Sequence, residues 1–367
     1  MMNPFNDPAR RPESSEAGAA WGRSRGVRRA VAAVALAAVA LAAAACSSAA
    51  AGGSSATSAT SASASAAAAG SSLSGVTLHV GDQAGAGAEA LLKAAGLLGK
   101  LPFKVTWSDF TSGPPMLQAM GAGSVDFGSV GDAPPVFAAA GGDKIDIVGA
   151  LRSGPRGTVL LVPKGSPIRS ISGLRGKRIA VAQGSSSDYH LLTVLKKAGL
   201  TTRDVTLDYL QPAEALAAFS SGSVDAWDIW SPFGEQAQAQ LGARVLVDGA
   251  GYGSPYSFEV ASQAALADPG KAVAIRDLLT LLDQAHTWAD THPAAWAAVW
   301  AQGTGLPANI MLRAARDAAS VPVPITPAVV ASEQQVSDAF TAAGLIPGHV
   351  NFSDFVDTRF NSVLGSE

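Results

Sequence analysis

The sequence predicts an α/β fold built as two similar lobes, and three observations carry that reading. Strand-like and helix-like segments alternate from residue 77 to residue 247, the pattern of a doubly wound sheet with mostly parallel strands. The tetrapeptide Gly123-Ser124-Val125-Asp126 recurs as Gly222-Ser223-Val224-Asp225. Each copy closes an alanine-rich helical run and opens a short strand. Each strand then meets a helix start, Asp132-Ala133-Pro134-Pro135 or Ser231-Pro232. The chain from Val76 onward is long enough for two lobes.

In chain order, residues 77–80 are the first expected strand and 89–98 the first helix. A strand over 103–107 precedes a helix over 114–120, and the first repeat strand spans 125–130. Residues 145–149 and 158–162 are further strands. Strand 178–182 is followed by helix 187–198, and strand 205–210 by helix 212–220. The second repeat strand spans 224–230, and 244–247 closes the alternation. Beyond Glu259 two helices are expected, 273–290 and 294–301. Leu278, Leu281, Leu282 and Trp288 give the first an apolar face, expected to pack on the first lobe. Pro293 starts the second, capped by Thr291 or His292.

The first 75 residues do not read as fold. Arg23, Arg25, Arg28 and Arg29 precede an apolar run over 30–45, short for a membrane span and flanked like a secretory signal. The run stops at Cys46, the single cysteine. Small residues ending in one cysteine resemble a lipobox, in which the thiol is lipidated and becomes the new N-terminus. Leu41 stands five residues before it, and Ala43 holds the usual leucine place. Ordinary signal cleavage and an uncleaved anchor are the competing readings, and Arg28-Arg29 leaves open a twin-arginine export route. Residues 47–74 are nearly all Ser, Ala, Gly and Thr, which bury no core and read as a flexible tether.

The whole chain carries 26 basic and 29 acidic residues, and six of its arginines lie before Cys46. The remainder is therefore acidic and without a basic stripe, which argues against nucleic acid. A single cysteine ahead of the fold leaves the domain without disulfides.

Ligands of doubly wound sheets lie beyond the carboxyl ends of the strands. That directs attention to Gly81-Asp82-Gln83, Ser112-Gly113-Pro114-Pro115, Gly131-Asp132-Ala133-Pro134-Pro135, Gln183-Gly184-Ser185-Ser186-Ser187 and Ser231-Pro232. Each start serves either as a plain helix cap or as a set of donors for an anion. Catalytic chemistry is not indicated. The five histidines show no pair at metal-ligand spacing, and no nucleophile elbow or phosphate-binding loop is present. No cofactor is expected. Gly81-x-x-x-Gly85-x-Gly87 misses the dinucleotide fingerprint and reads as a loop needing close backbone approach. His190, one turn into a helix, reads as solvated or lobe-facing. Trp227 and Trp230 point to opposite faces of a strand; Trp230 is assigned to the cleft and Trp227 to the core. Tyr252, Tyr256 and Phe258 stand open between cleft and core.

Several segments resemble the aliphatic sulfonate-binding proteins of bacterial ABC importers, in the sulfonate, taurine and nitrate branch. They are Phe110-Thr-Ser-Gly-Pro-Pro-Met-Leu-Gln-Ala-Met, then Gly123-Ser-Val-Asp-Phe-Gly-Ser-Val-Gly-Asp-Ala-Pro-Pro, then Leu161-Val-Pro-Lys-Gly-Ser-Pro-Ile. Leu174-Arg-Gly-Lys-Arg-Ile-Ala, Gly184-Ser-Ser-Ser, Leu195-Lys-Lys-Ala-Gly-Leu and Gly222-Ser-Val-Asp-Ala-Trp-Asp-Ile-Trp-Ser-Pro continue the series, in order. The resemblance implies a type 2 periplasmic-binding fold, two α/β lobes closing on a ligand. Lobe one would be 76–160 with 255–367, and lobe two 161–254, with crossovers near 158–162 and 254–261. It implies Gln83, Ser112, Gly113, Asp132 and Ala133 on one wall of the cleft and Ser185, Ser186, Asp228 and Trp230 on the other, with Tyr256 beside the organic tail. Asp132 would cap its own helix or bond an amine on a zwitterionic ligand. The chain departs from the family at Asp82, where a tyrosine is usual, and at Ser257-Phe258-Glu259, which lacks an arginine. The implied role is an exported, lipid-anchored, monomeric solute-binding protein that captures an organic sulfonate and hands it to a permease and its ATPase. Nitrate, a sulfate ester or a thiamine-precursor pyrimidine are alternative ligands on the same scaffold. The enzymes of this fold, a desulfinase and a pyrimidine synthase, rely on cysteine constellations that this domain lacks.

Overall fold

Short apolar strands and glycine-stopped, alanine-rich helices give the chain two β-sheets flanked by helices, in a computed structural model that describes residues 73–83 and 87–365. Cys46, the expected leader, residues 47–72 of the expected tether and Gly85 lie outside the described residues, whereas Leu73–Gly75 at the tether's end form a 3-10 turn with Leu73 in the core. The first elements are β1 (Thr77–Gln83), α1 (Ala88–Ala94), β2 (Lys104–Phe110), α2 (Gly113–Gly121), β3 (Phe127–Val130), α3 (Ala133–Gly141) and β4 (Ile145–Ser153). Then come β5 (Thr158–Val162), β6 (Arg178–Val181), α4 (Ser186–Lys197), β7 (Thr206–Tyr209), α5 (Pro212–Ser220), β8 (Ala226–Trp230), α6 (Phe233–Leu241) and β9 (Arg244–Asp248). The chain finishes with β10 (Tyr256–Ser262), α7 (Gln263–Ala267), α8 (Pro269–Thr291), α9 (Pro293–Thr304), α10 (Ala308–Asp317), β11 (Ser320–Val323) and α11 (Pro327–Ala342).

The first lobe's sheet has the order β11-β4-β10-β3-β1-β2 and the second lobe's β7-β6-β8-β5-β9. The run β2-β1-β3-β10-β4 has the same pairing senses as β7-β6-β8-β5-β9: two parallel contacts, then two antiparallel ones. With β11 antiparallel to β4, both sheets are mixed rather than mostly parallel. The reason is that β5 and β10 each enter from the other lobe and run back along their sheet.

The tetrapeptide repeat occupies matching places in the two lobes. Gly123 and Gly222 take left-handed φ values of 80° and 74°, ending α2 and α5. The next amides return to the helix in the same way, Ser124 to Ala119 and Ser223 to Ala218. Asp126 then donates its amide to the His79 carbonyl and accepts the His79 amide on its carboxylate. Asp225 does the same with Arg178. The repeat thus locks the start of each lobe's central strand and stays away from any cleft.

One boundary differs from expectation. All of β5 pairs within the second sheet, and Leu160, Leu161 and Val162 are fully buried there. The links between the sheets are residues 154–157 and 249–255, because β4 ends at Ser153 and β10 begins at Tyr256. The C-terminal helices pack on the first lobe. Ile275, Leu278, Leu279 and Leu282 of α8 join one core cluster with Leu78, Val80, Leu92 and Phe127. His292 stands at the N-cap of α9 without a side-chain cap bond and stacks on Trp288 at 5.4 Å.

Candidate functional site

The strand ends and helix starts of both lobes converge on a cavity of about 420 Å3. Of the sequence-predicted site residues, Gln83, Gly113, Asp132, Ser185, Ser186, Trp230 and Tyr256 line it. Three do not. Ser112 is fully buried, and its hydroxyl donates to Gln211 Oε1 at 2.8 Å, beside Thr111 on the same atom at 3.0 Å. Since Gln211 caps α5, Ser112 ties the two lobes together instead of facing the cavity. Ala133 is fully buried and donates its amide to Asp132 at 2.9 Å. Asp228 is fully buried behind the wall, where it holds His190.

His190, read from the sequence as solvated or lobe-facing and left out of the expected site, is buried and faces the other lobe. It lines the cavity at 1% exposure, with Nδ1 2.8 Å from Asp228 Oδ2 and Nε2 3.3 Å from the Asp248 carbonyl. The signal was available: Ser186 and His190 are four apart on α4, so they share one face. Burial opposes a charge on the imidazole, but the Asp228 carboxylate outweighs it and raises the pKa of His190. Burial pushes Asp228 up to about 6, against the pull of His190. The pair thus sets an imidazole facing the cavity with the Asp228 carboxyl buried behind it.

The second functional start is α4. Ser185 is its N-cap, with extended backbone, and its hydroxyl donates to the Ala182 carbonyl at 2.7 Å. Asp188 accepts the Gly184 amide at 2.9 Å. Among the described residues no acceptor takes the Ser186 amide, so this twelve-residue helix presents a donor and the positive end of its dipole to the cavity. Opposite it, Asp132 caps α3, as one of its two expected roles required. Burial raises its pKa to about 6, while hydrogen bonds from Ser186, Ala133 and Ser254 pull the other way. Ser186 and Asp132 thus face each other across the lobes. A Cβ on Gly131 would stand only 1.9 Å from Ser186 Oγ, which shows how closely the two walls meet.

The organic side of the cavity is formed by Trp230 and Tyr256. Trp230 meets Phe233 edge-on at 6.1 Å, whereas Trp227 is fully buried in the core, as strand alternation requires. Both interlobe links also contribute, among them Gly154, Gly157, Gly249 and Ser254. The lining contains no lysine or arginine. At the first helix start, Asp82 accepts the amides of Gln83, Ala88 and Glu89 on its own carboxylate. A Cβ on Gly87 would fall 1.5 Å from that carboxylate, which is the close approach the glycine pattern signalled. Among the described residues no group of three acidic, histidine or cysteine side chains is placed to hold a metal.

Comparison with known proteins agrees with this geometry. Residues 111–295 match the family model described as NMT1/THI5 like. An aliphatic sulfonates-binding protein of Escherichia coli (strain K12) is 36% identical over 277 residues, 75% of this chain and 86% of that relative. The alkanesulfonate-binding protein SsuA from Xanthomonas axonopodis pv. citri, solved bound to MOPS, superimposes with a TM-score of 0.73 at 35% identity, covering 77% of this chain and 98% of that one. A desulfurization enzyme is 17% identical with a TM-score of 0.56 and shares the fold alone. Both nearer relatives are sulfonate-binding proteins by name. The chain belongs to the NMT1/THI5-like family and, within it, to the aliphatic sulfonate-binding proteins of ABC importers.

Proposed function

We propose that this protein captures an organic sulfonate between its lobes and delivers it to an ABC permease and its ATPase. The observation that carries the proposal is the opening of α4 into the cavity. The Ser186 amide opens there beside Ser185, Ser186 and His190, with Trp230 and Tyr256 as walls for a carbon tail. A sulfonate stays ionised at any physiological pH, and the open start of a helix holds an anion without a lysine or arginine. The protein works as a monomer, exported and held at the outer face of the cytoplasmic membrane by lipid on Cys46. Among the described residues no helix is long and apolar enough to cross a membrane. Replacing Cys46 by Ser should release the protein from membranes with sulfonate affinity unchanged; undiminished membrane association of Cys46→Ser would refute the anchor.

Thermal unfolding against a ligand panel tests the ligand class. Ethanesulfonate, octanesulfonate, taurine, nitrate, sulfate and an aminopyrimidine each compete for the same cavity. A ligand at a hundred times its dissociation constant stabilises by about 2.7 kcal/mol, a readable shift in Tm. Shifts with the sulfonates alone are expected. A shift with nitrate or the pyrimidine, and none with any sulfonate, would keep the fold and replace the ligand.

A further inference from the structure

We infer that the buried carboxyl pair Asp132 and Glu333 takes up a proton when the cleft receives its anion, so that anion and proton are captured together. The inference rests on the sulfonate reading above. Val329, Glu333, Val336 and Phe340 form the buried stripe of α11, so a glutamate occupies a core position. Glu333 is fully buried, and neither of its carboxyl oxygens has a hydrogen-bond partner among the described residues. Ser337, one turn on, is also buried with its hydroxyl unpartnered. An ionised carboxylate in such a place lacks both water and a counter-charge, which favours the neutral acid.

The surroundings reinforce this. From α3, Asp132 acts on Glu333 electrostatically. From α4, Tyr189 feels both carboxyls, and its ring stands 6.0 Å from Phe340 of α11. His190, also on α4, feels Asp132. From residues 352–355, Asp354 is exposed and bonded to Asn351. On α11 itself, Asp338 is exposed and paired with His349. The charge acting on Glu333 is thus another carboxylate, and no lysine or arginine offsets it. Asp132, in turn, lines the cavity at 4% exposure. A sulfonate there would be a further negative charge beside a pair that already resists double ionisation. Protonation of the pair removes the conflict, and it explains how an anion site tolerates an aspartate in its wall.

The sign follows from the free state. Burial pushes Asp132 up to about 6 and Glu333 well above the carboxylate range. A bound anion raises the pair further. Affinity is therefore full below about pH 6 and falls as pH rises through the bound-state value, by up to about tenfold per pH unit for one proton. Calorimetric titration of the full chain with ethanesulfonate, in buffers of different ionisation enthalpy at pH 6, 7 and 8, counts the protons directly. Net uptake at pH 7 and 8 is expected, together with weakening affinity over that range. The paired replacement Asp132→Asn with Glu333→Gln should bind with no uptake and no slope. Binding to the natural protein without proton uptake would overturn the inference whether or not the variants fold. So would uptake that survives the paired replacement and vanishes in His190→Gln, which would place the proton on the imidazole. Taurine brings its own ammonium to Asp132, and weaker proton uptake with taurine than with ethanesulfonate would support the assignment. Failure of every sulfonate to bind would instead remove the ligand reading on which the inference rests.

Discussion

Trp227 and Trp230 show how much a single strand decides. Three residues apart on β8, they fall on opposite faces, one fully buried and one on the cavity wall. Trp230→Ala should therefore weaken sulfonate binding by tenfold or more, as loss of an aromatic anchor does, with little change in Tm. Trp227→Ala should cost about 3–5 kcal/mol of stability, the usual loss for a large core side chain. Titration calorimetry beside thermal unfolding separates the two. A large Tm loss in Trp230→Ala with affinity unchanged would exchange their roles. This division was legible in the sequence because strand alternation is strictly local. The His190–Asp228 pair was not, because its members are joined across α4 and β8 and only the folded lobe brings them to 2.8 Å. Ser112 was misplaced for the same reason: its partner Gln211 belongs to the other lobe.

At the scale of elements, helix starts fall into two kinds that the sequence did not distinguish. Some are satisfied by their own chain. At α1, Asp82 takes the amides of Ala88 and Glu89, so that start offers nothing to a ligand. Asp82→Ala should cost about 1–2 kcal/mol through loss of the cap and leave affinity within about twofold of the natural protein. Tm and a sulfonate titration on one preparation check both. A loss of binding equal to that of Trp230→Ala would make Asp82 part of the site. The other kind stays open, and α4 is the case where the cap serine and the following amide face the cavity. Helix and strand positions themselves were readable from periodicity and punctuation: Pro212–Ser220 and Thr158–Val162 begin and end where expected. Membership in a sheet was less so. β5 was placed at a crossover because the strand that holds it, β8, lies far along the chain.

For the whole molecule, buried acids set the response to pH. Glu259 on β10 is 2% exposed, accepts the Ser129 hydroxyl on Oε2, and has no partner on Oε1. Burial raises its pKa from 4.5 to about 7, with the charge of Asp82 adding and Ser129 opposing. The folded protein holds this proton more tightly than the unfolded chain. Its contribution is thus full below about 4.5 and lost as pH rises through about 7, on the order of 3 kcal/mol in all. Glu259→Gln should flatten the fall in Tm between pH 5 and pH 8. An unchanged slope would assign that fall to other acids, among them Asp188, which burial raises to about 7.

Capture depends on the two walls meeting, and Gly131 marks where they do. A methyl there would press on Ser186 Oγ at 1.9 Å and on its Cβ at 3.2 Å. Gly131→Ala should fold normally yet hinder closure over a ligand. The most direct measurement is a calorimetric titration of ethanesulfonate into the natural protein and into Gly131→Ala. Saturable binding at one site, weakened tenfold or more in the variant, is the predicted result. No binding to the natural protein, or equal affinity in both, would contradict capture of a sulfonate between these lobes.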